Sequence, residues 1–121
     1  MAGEPLLESF QRARLEANGR EQAPVKGTAC EIDFVPVVRL RDHEEGRVWL
    51  LTEIDPDQPS KAWGLCLSDP EYPEPYMGTA DLNELVSVKQ AGFLTVDADF
   101  TPVGPVSDYL LRAQGLDTLD I

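Results

Sequence analysis

Hydrophobic and polar positions along this chain alternate with two different periods. Residues 5–18 place Leu6, Leu7, Phe10, Ala13, Arg14 and Ala17 at helical spacing. That spacing predicts an amphipathic helix, with Gly19 as its stop and Glu8 and Arg12 paired on the outer face. Residues 20–30 read as a linker broken by Pro24 and Gly27. From 32 to 41 the period drops to two, with Val35, Val37 and Arg39 opposite Phe34, Val38 and Leu40. Pro36 interrupts this strand, which predicts a sheet edge, because proline cannot donate to a ladder.

A polar loop over 42–46, closed by Gly46, leads to a second strand over 47–54. Alternation puts Val48, Leu50 and Thr52 on one face and Trp49, Leu51 and Glu53 on the other. Residues 55–60 form a turn by composition, and 61–67 form a third strand. The run 68–78, with three prolines, reads as irregular. Asp81 is placed to cap a short helix over 82–89, with Glu84 at the capping-box position. Residues 93–100 alternate as a fourth strand. Val106, Tyr109, Leu110 and Ala113 make the stripe of a last helix over 105–114, with Pro105 in its first turn.

The expected fold is therefore α+β: an antiparallel sheet of about four strands, the first three a meander, with N-terminal, short middle and C-terminal helices. At 121 residues the chain reads as a single domain over 1–121, with helix and linker over 1–30, the core over 31–114 and a tail over 115–121.

Charge sharpens this picture. The net charge is −12, from 22 acids and 10 bases. Residues 1–52 hold nine acids and seven bases, whereas residues 53–121 hold thirteen acids against Lys61, Lys89 and Arg112. Phosphate backbones and anionic membranes both require cations, so direct nucleic-acid and membrane binding are disfavoured. A basic protein surface is the complementary partner, although acidity also serves solubility alone. Cys30 and Cys66 are 36 residues apart with no CxxC partner, and no secretory leader or membrane span is read at any position. A cytoplasmic protein with reduced thiols is expected.

The run Asp33-Phe34-Val35-Pro36-Val37-Val38-Arg39-Leu40, the run Trp49-Leu50-Leu51-Thr52-Glu53-Ile54-Asp55-Pro56 and the run Trp63-Gly64-Leu65-Cys66 resemble an uncharacterised family of small bacterial proteins, common on plasmids and integrative elements. The resemblance extends over about 15–113 through Pro73-Glu74, Gly78, Leu82, Glu84-Leu85, Asp99-Phe100-Thr101-Pro102, Pro105 and Tyr109. Trp63 replaces the family's usual phenylalanine, and the loop after Cys66 is longer and richer in proline. The resemblance implies a shared fold and a mobile-element setting, and it implies no particular activity.

Candidate sites fall into two groups. Glu53, Asp55 and Asp57 could offer oxygen ligands to a hard cation, but Gln58 and Gly64 stand where an EF-hand needs glycine and glutamate. The plainer reading makes Asp55 and Asp57 turn residues beside prolines. Glu53, on a face with Trp49 and Leu51, needs a cationic partner if buried; Arg39, Arg41 and Lys61 are the candidates. The second group is Asp69, Glu71, Tyr72, Glu74 and Tyr76, an acidic and aromatic loop suited to holding a basic protein or simply to solvation.

His43 reads as an exposed turn residue, Cys66 as a small core residue, and Trp49 and Trp63 as cross-strand packing. No catalytic residue, metal ligand set or cofactor motif is assigned. The leading functional expectation is a non-enzymatic acidic interaction protein of a mobile genetic element or phage, with Glu53, Asp55, Asp57, Asp69, Glu71, Tyr72, Glu74 and Tyr76 as its partner-binding residues. Such a protein could inhibit a host defence or nucleic-acid-binding protein by presenting carboxylates where phosphates would sit. The alternatives are a metal-binding or hydrolytic module built on Glu53, Asp55 and Glu74, and a structural homodimer formed through the strand edge near Pro36.

Overall fold

The computed structural model describes residues 6–97 and 100–115. Helix α1 (Ser9–Gln22) is followed by strands β1 (Val38–Asp42), β2 (Val48–Ile54), β3 (Lys61–Leu67) and β4 (Tyr76–Asp81), then helix α2 (Leu82–Gln90), strand β5 (Leu94–Val96) and helix α3 (Val106–Gly115). The five strands form one sheet in the order β4-β3-β2-β1-β5, with every neighbouring pair antiparallel. This is the expected α+β architecture with its three helices, and the meander runs one strand further than anticipated. Among the described residues no helix is long and apolar enough to cross a membrane.

The extra strand, β4, lies within and beyond the stretch read as irregular. Gly78 and the nearby prolines hide its period of two, but Tyr76 and Ala80 face one core while Met77 faces the other. The expected strand over 93–100 is shortened to β5, and its Ala98 and Asp99 lie outside the described residues, as do Pro5 and the tail beyond 115. β1 is not an edge: β2 and β5 flank it. Pro36 precedes β1, buried, and the ladder resumes at the Val37 N–H, which donates to the Leu51 carbonyl at 2.8 Å. A dimer through an edge near Pro36 therefore has no open ladder to use. The open edges belong to β4 and β5.

The sheet has helices on both faces. Leu15, Trp49, Leu51, Ile54, Cys66, Leu82 and Leu85 pack on the side of α1 and α2. Leu50, Leu65 and Leu67 pack against Val106, Tyr109 and Ala113 of α3, so the stripe read for the last helix is the one that docks. Asp81 caps α2 by accepting from the N–H groups of Asn83 and Glu84, as its position predicted. Glu84 does not close a capping box; its carboxylate binds Arg47 at 2.8 Å.

α1 departs most from expectation. It starts four residues later than its pattern suggested and runs through Gly19 to Gln22. Phe10 is 68% exposed, and the buried face is Gln11, Leu15, Asn18, Gly19 and Gln22. Glu8 is the N-cap, in a capping box with Gln11, rather than half of an ion pair with Arg12; Arg12 instead meets Glu16 at 3.6 Å.

The polar face has a cause in β2. The β2–β3 register shifts between Leu51, opposite Gly64, and Glu53, opposite Trp63, which leaves Thr52 as the extra residue of a β-bulge. A bulge frees backbone groups from the ladder, and when buried they must find other partners. Asn18 of α1 supplies one, donating its side-chain N–H to the Thr52 carbonyl at 2.9 Å. A polar helix face thus docks on an apolar sheet where the sheet itself has become polar.

Candidate functional site

The bulge also moves Glu53. Strict alternation put it with Trp49 and Leu51, but the extra residue reverses the parity. Glu53 now faces with Trp63, its cross-strand partner, which lies on the Leu65 side of β3. The side chain of Glu53 is 8% exposed. Its partners are not Arg39, Arg41 or Lys61. Arg39 and Arg41 both bind Asp97, and Lys61 binds Asp81 at 3.3 Å. The cation at Glu53 is Lys26, from the linker after α1, with Nζ 3.4 Å from Oε2. Oε1 accepts from the Thr52 hydroxyl at 3.2 Å and from Gln22 Nε2 at 3.4 Å.

Gln22 is the hinge of this arrangement. Its amide donates to the Ile32 carbonyl and accepts from the Ile32 N–H, both at 2.8 Å, and so pins the two ends of the 23–31 segment together. Lys26, carried on that segment, reaches over the Trp63 ring with Nζ 3.7 Å from its centroid. Trp63 is therefore a platform for a cation rather than cross-strand packing with Trp49, which pairs with Cys66. Nothing near Lys26 in the sequence marks it for this role, because Glu53 and Trp63 lie 27 and 37 residues away.

A cavity of about 510 Å³ opens at this end of the sheet, lined among others by Lys26, Glu53, Asp55, Gln58, Lys61 and Trp63. Asp55 and Asp57 stand exposed on its rim as turn residues: Asp55 Oδ1 accepts from the Asp57 N–H at 2.8 Å, and the Asp55 carbonyl accepts from Gln58. A second cleft of about 250 Å³ shares Gln22, Glu53 and Trp63 with the first, and is walled by Phe34, Met77 and Leu110.

Asp69, Glu71, Tyr72, Glu74 and Tyr76 gather at the other end of the sheet. β3 has seven residues, which at about 3.3 Å each put its ends ~20 Å apart. Glu53 sits opposite Trp63 near the start of β3, whereas Tyr76 pairs with Cys66 near its end. Glu74 therefore cannot join Glu53 and Asp55 in one metal or hydrolytic site. No group of three or more histidine, cysteine, aspartate or glutamate side chains is placed to hold a metal ion among the described residues.

The far-end loop is ordered from within. The Tyr76 hydroxyl donates to Asp69 at 2.7 Å, Asp69 accepts from the Glu71 N–H, and the rings of Tyr72 and Tyr76 lie 5.3 Å apart. The tyrosine hydrogen bond holds the Asp69 carboxyl below its ordinary range. Burial raises the Tyr76 phenol, and the bond to Asp69 raises it further. Tyr72 is left 64% exposed. The β1–β2 hairpin ends on the same side, so Glu44 and Glu45, both exposed, join the loop acids. His43, exposed in that hairpin, is tied to the β5 side: its ring meets the Thr95 hydroxyl at 2.8 Å and its backbone N–H donates to the Phe93 carbonyl at 2.7 Å.

Cys66 lies beneath this loop, fully buried, with burial pushing its thiol up to about 11. Cys30 is exposed. An alkylating thiol reagent at about pH 8 is expected to modify Cys30 alone in the native protein and Cys66 only after denaturation. Peptide mapping by mass spectrometry checks this, and native labelling of both cysteines would show that the core opens.

The fold and its two ends define a small α+β protein with a buried carboxylate over a solvent-open cavity at one end and an acidic, tyrosine-bearing loop at the other. The chain belongs to the family described as protein of unknown function (DUF2958), whose model matches residues 6–119. No curated protein and no solved structure matches it.

Proposed function

We propose that this chain is a non-enzymatic interaction protein that presents an acidic surface to a protein partner with a basic face. One observation carries the reading: six of the ten bases are already paired within the molecule, while a set of exposed carboxylates is not. Arg12, Lys26, Arg39, Arg41, Arg47 and Lys61 all stand in ion pairs with the chain's own carboxylates. Glu44, Glu45, Asp55, Asp57, Glu71 and Glu74 are exposed, and none of the ion pairs among the described residues includes them. These six carboxylates therefore face solvent without an ion-pair partner among the described residues, on a chain whose net charge is −12.

The binding face is the end of the sheet that carries Glu44, Glu45, Asp69, Glu71 and Glu74. There Tyr72 supplies an exposed aromatic anchor and Tyr76 holds the loop in shape. The rim acids Asp55 and Asp57 extend the acidity at the opposite end. In the plasmid and integrative-element setting that the resemblance implies, the fitting partner is a nucleic-acid-binding or defence protein of the host, in the cytoplasm, whose own cations are aligned for phosphate.

Immobilised protein is expected to capture such a partner at about 50 mM salt and to release it at about 500 mM, where the Debye length is only a few ångströms. The quadruple variant Glu44→Gln, Glu45→Gln, Glu71→Gln, Glu74→Gln should bind at least about tenfold more weakly, chiefly through slower association. Capture that ignores both salt and the glutamine substitutions would sink the proposal.

A further inference from the structure

We propose that the cavity beside Glu53 binds an organic cation that carries an apolar group, with the Lys26 ammonium occupying the cation position while the site is free. This site is separate from the acidic loop and goes beyond the partner reading above. Three observations meet at one place.

One ammonium, that of Lys26, lies 3.4 Å from an oxygen of Glu53, a carboxylate nine-tenths buried, and 3.7 Å from the centre of the Trp63 ring. Carboxylate plus aromatic face is the pairing that recognises ammonium and guanidinium groups, since the ring's negative face and the anion attract the same charge. Lys26 is a loose tenant. Its distances of 3.4 Å to Glu53 and 4.0 Å to Glu31 are long for charge-assisted hydrogen bonds, and its side chain is 35% exposed. Its segment is held at the two ends by Gln22, while Ala23, Pro24 and residues 26–30 face solvent. Glu53, by contrast, is only 8% exposed, and its other oxygen accepts from the Thr52 hydroxyl and from the Gln22 amide. Glu53 sits buried in the sheet while Lys26 reaches it from an exposed segment, so the cation is the half of the pair that solvent and a competing ligand can reach.

The surrounding space suits a ligand larger than a metal ion. The cavity of about 510 Å³ falls within the range of small-molecule sites. The adjoining cleft, reached past Glu53 and Trp63, offers Phe34, Met77 and Leu110 to an apolar substituent. Asp55 and Asp57 on the rim draw cations toward the opening. The ligand class is thus an amine or guanidine bearing an aromatic or branched aliphatic group. It can be a free small molecule or a basic side chain beside an apolar one on another protein.

The test uses the full chain with phenethylamine, the neutral 3-phenylpropan-1-ol and the capped dipeptide amide acetyl-Phe-Arg-NH₂, followed by the indole N–H resonances. Trp63 should shift on addition of either cation while Trp49, buried on the other face, stays still. The alcohol should be weaker by at least about tenfold, because it cannot meet the Glu53 charge. Removing the resident ammonium with Lys26→Met should tighten binding by about threefold or more, since the ligand no longer competes for its place. Glu53→Gln should weaken it by at least about tenfold.

Should Glu53→Gln fail to fold, Lys26→Met decides alone, because that side chain is on the surface. A response to phenethylamine alone identifies a free-amine site; a response to the dipeptide alone identifies a partner's arginine. No Trp63 shift up to about 10 mM in both the wild type and Lys26→Met overturns the proposal, as does equal binding of the alcohol or weaker binding by Lys26→Met. The four glutamine substitutions at the other end of the sheet should leave these titrations unchanged, which separates failure here from failure of the partner reading.

Discussion

Gly19→Ala is expected to destabilise the protein by about 3 kcal/mol or more, as a drop in the urea midpoint at unchanged slope. Its sign runs against local propensity. In an exposed helix interior the same change would stabilise by about 1 kcal/mol, because alanine is the better helix former. Here α1 lies so close to β2 that a Cβ on Gly19 would overlap the Ile54 carbonyl oxygen. The atom in the way is backbone, in a buried strand residue paired with Ala62 of β3, so it cannot yield without moving the sheet. The close approach is also what allows Asn18, one residue earlier, to reach the Thr52 carbonyl. A neutral or stabilising Gly19→Ala would mean that α1 does not pack at this distance. Alanine at the solvent-facing Arg20 provides the matched control, expected within about 0.5 kcal/mol of wild type.

Asp42→Ala is expected to cost about 3–5 kcal/mol near neutral pH, the range for breaking a buried charge pair. Asp42 is buried at the end of β1 and accepts four hydrogen bonds, from the N–H groups of Glu44 and Glu45 and from two nitrogens of Arg47. Burial alone would raise its pKa. The Arg47 guanidinium and the two backbone donors outweigh burial and hold the carboxyl below the usual carboxylate range. Asp97 behaves alike, with burial opposed by Arg39 and Arg41. For both groups the folded pKa is depressed, so their stabilisation is complete above the unfolded value and is lost as pH falls through the folded one. The difference between wild type and Asp42→Ala should therefore be constant from about pH 7 to 5 and close below about pH 4, measured by urea unfolding at each pH. A difference that grows on acidification would show that the charge of Asp42 is not the stabilising element.

Much of the frame was legible along the chain. Leu50, Leu65 and Leu67 on one face, and the stripe of Val106, Tyr109 and Ala113 that meets them, follow from periods that each segment carries by itself. The Asp81 cap and the 55–60 turn were also legible, because a short polar side chain satisfies backbone groups two or three residues away. β4 was hidden because six residues containing Gly78 and bordered by prolines hold too little pattern to outweigh their composition.

The candidate site was legible only in its residues' names. Glu53 was singled out as an acid in need of a cation, but its face and its partner were both misassigned. One extra residue at Thr52 inverts the parity of everything after it in β2, and a bulge is a property of two paired strands rather than of one. The same fact explains α1. Gln11, Asn18 and Gln22 look like a solvent face until the sheet beneath offers unpaired backbone and a buried carboxylate for Asn18 and Gln22 to meet.

By itself the sequence determined the class of fold, most of the strands and helices, and the acidic balance of charge, since periodicity and charge are additive along a chain. Only the tertiary structure decided which carboxylates keep their charge for solvent, which face Glu53 takes, and that Lys26 lies over Trp63. The face of Glu53 follows from the pairing of β2 with β3, and Lys26 meets groups 27 and 37 residues away within 4 Å; no single segment's pattern encodes either.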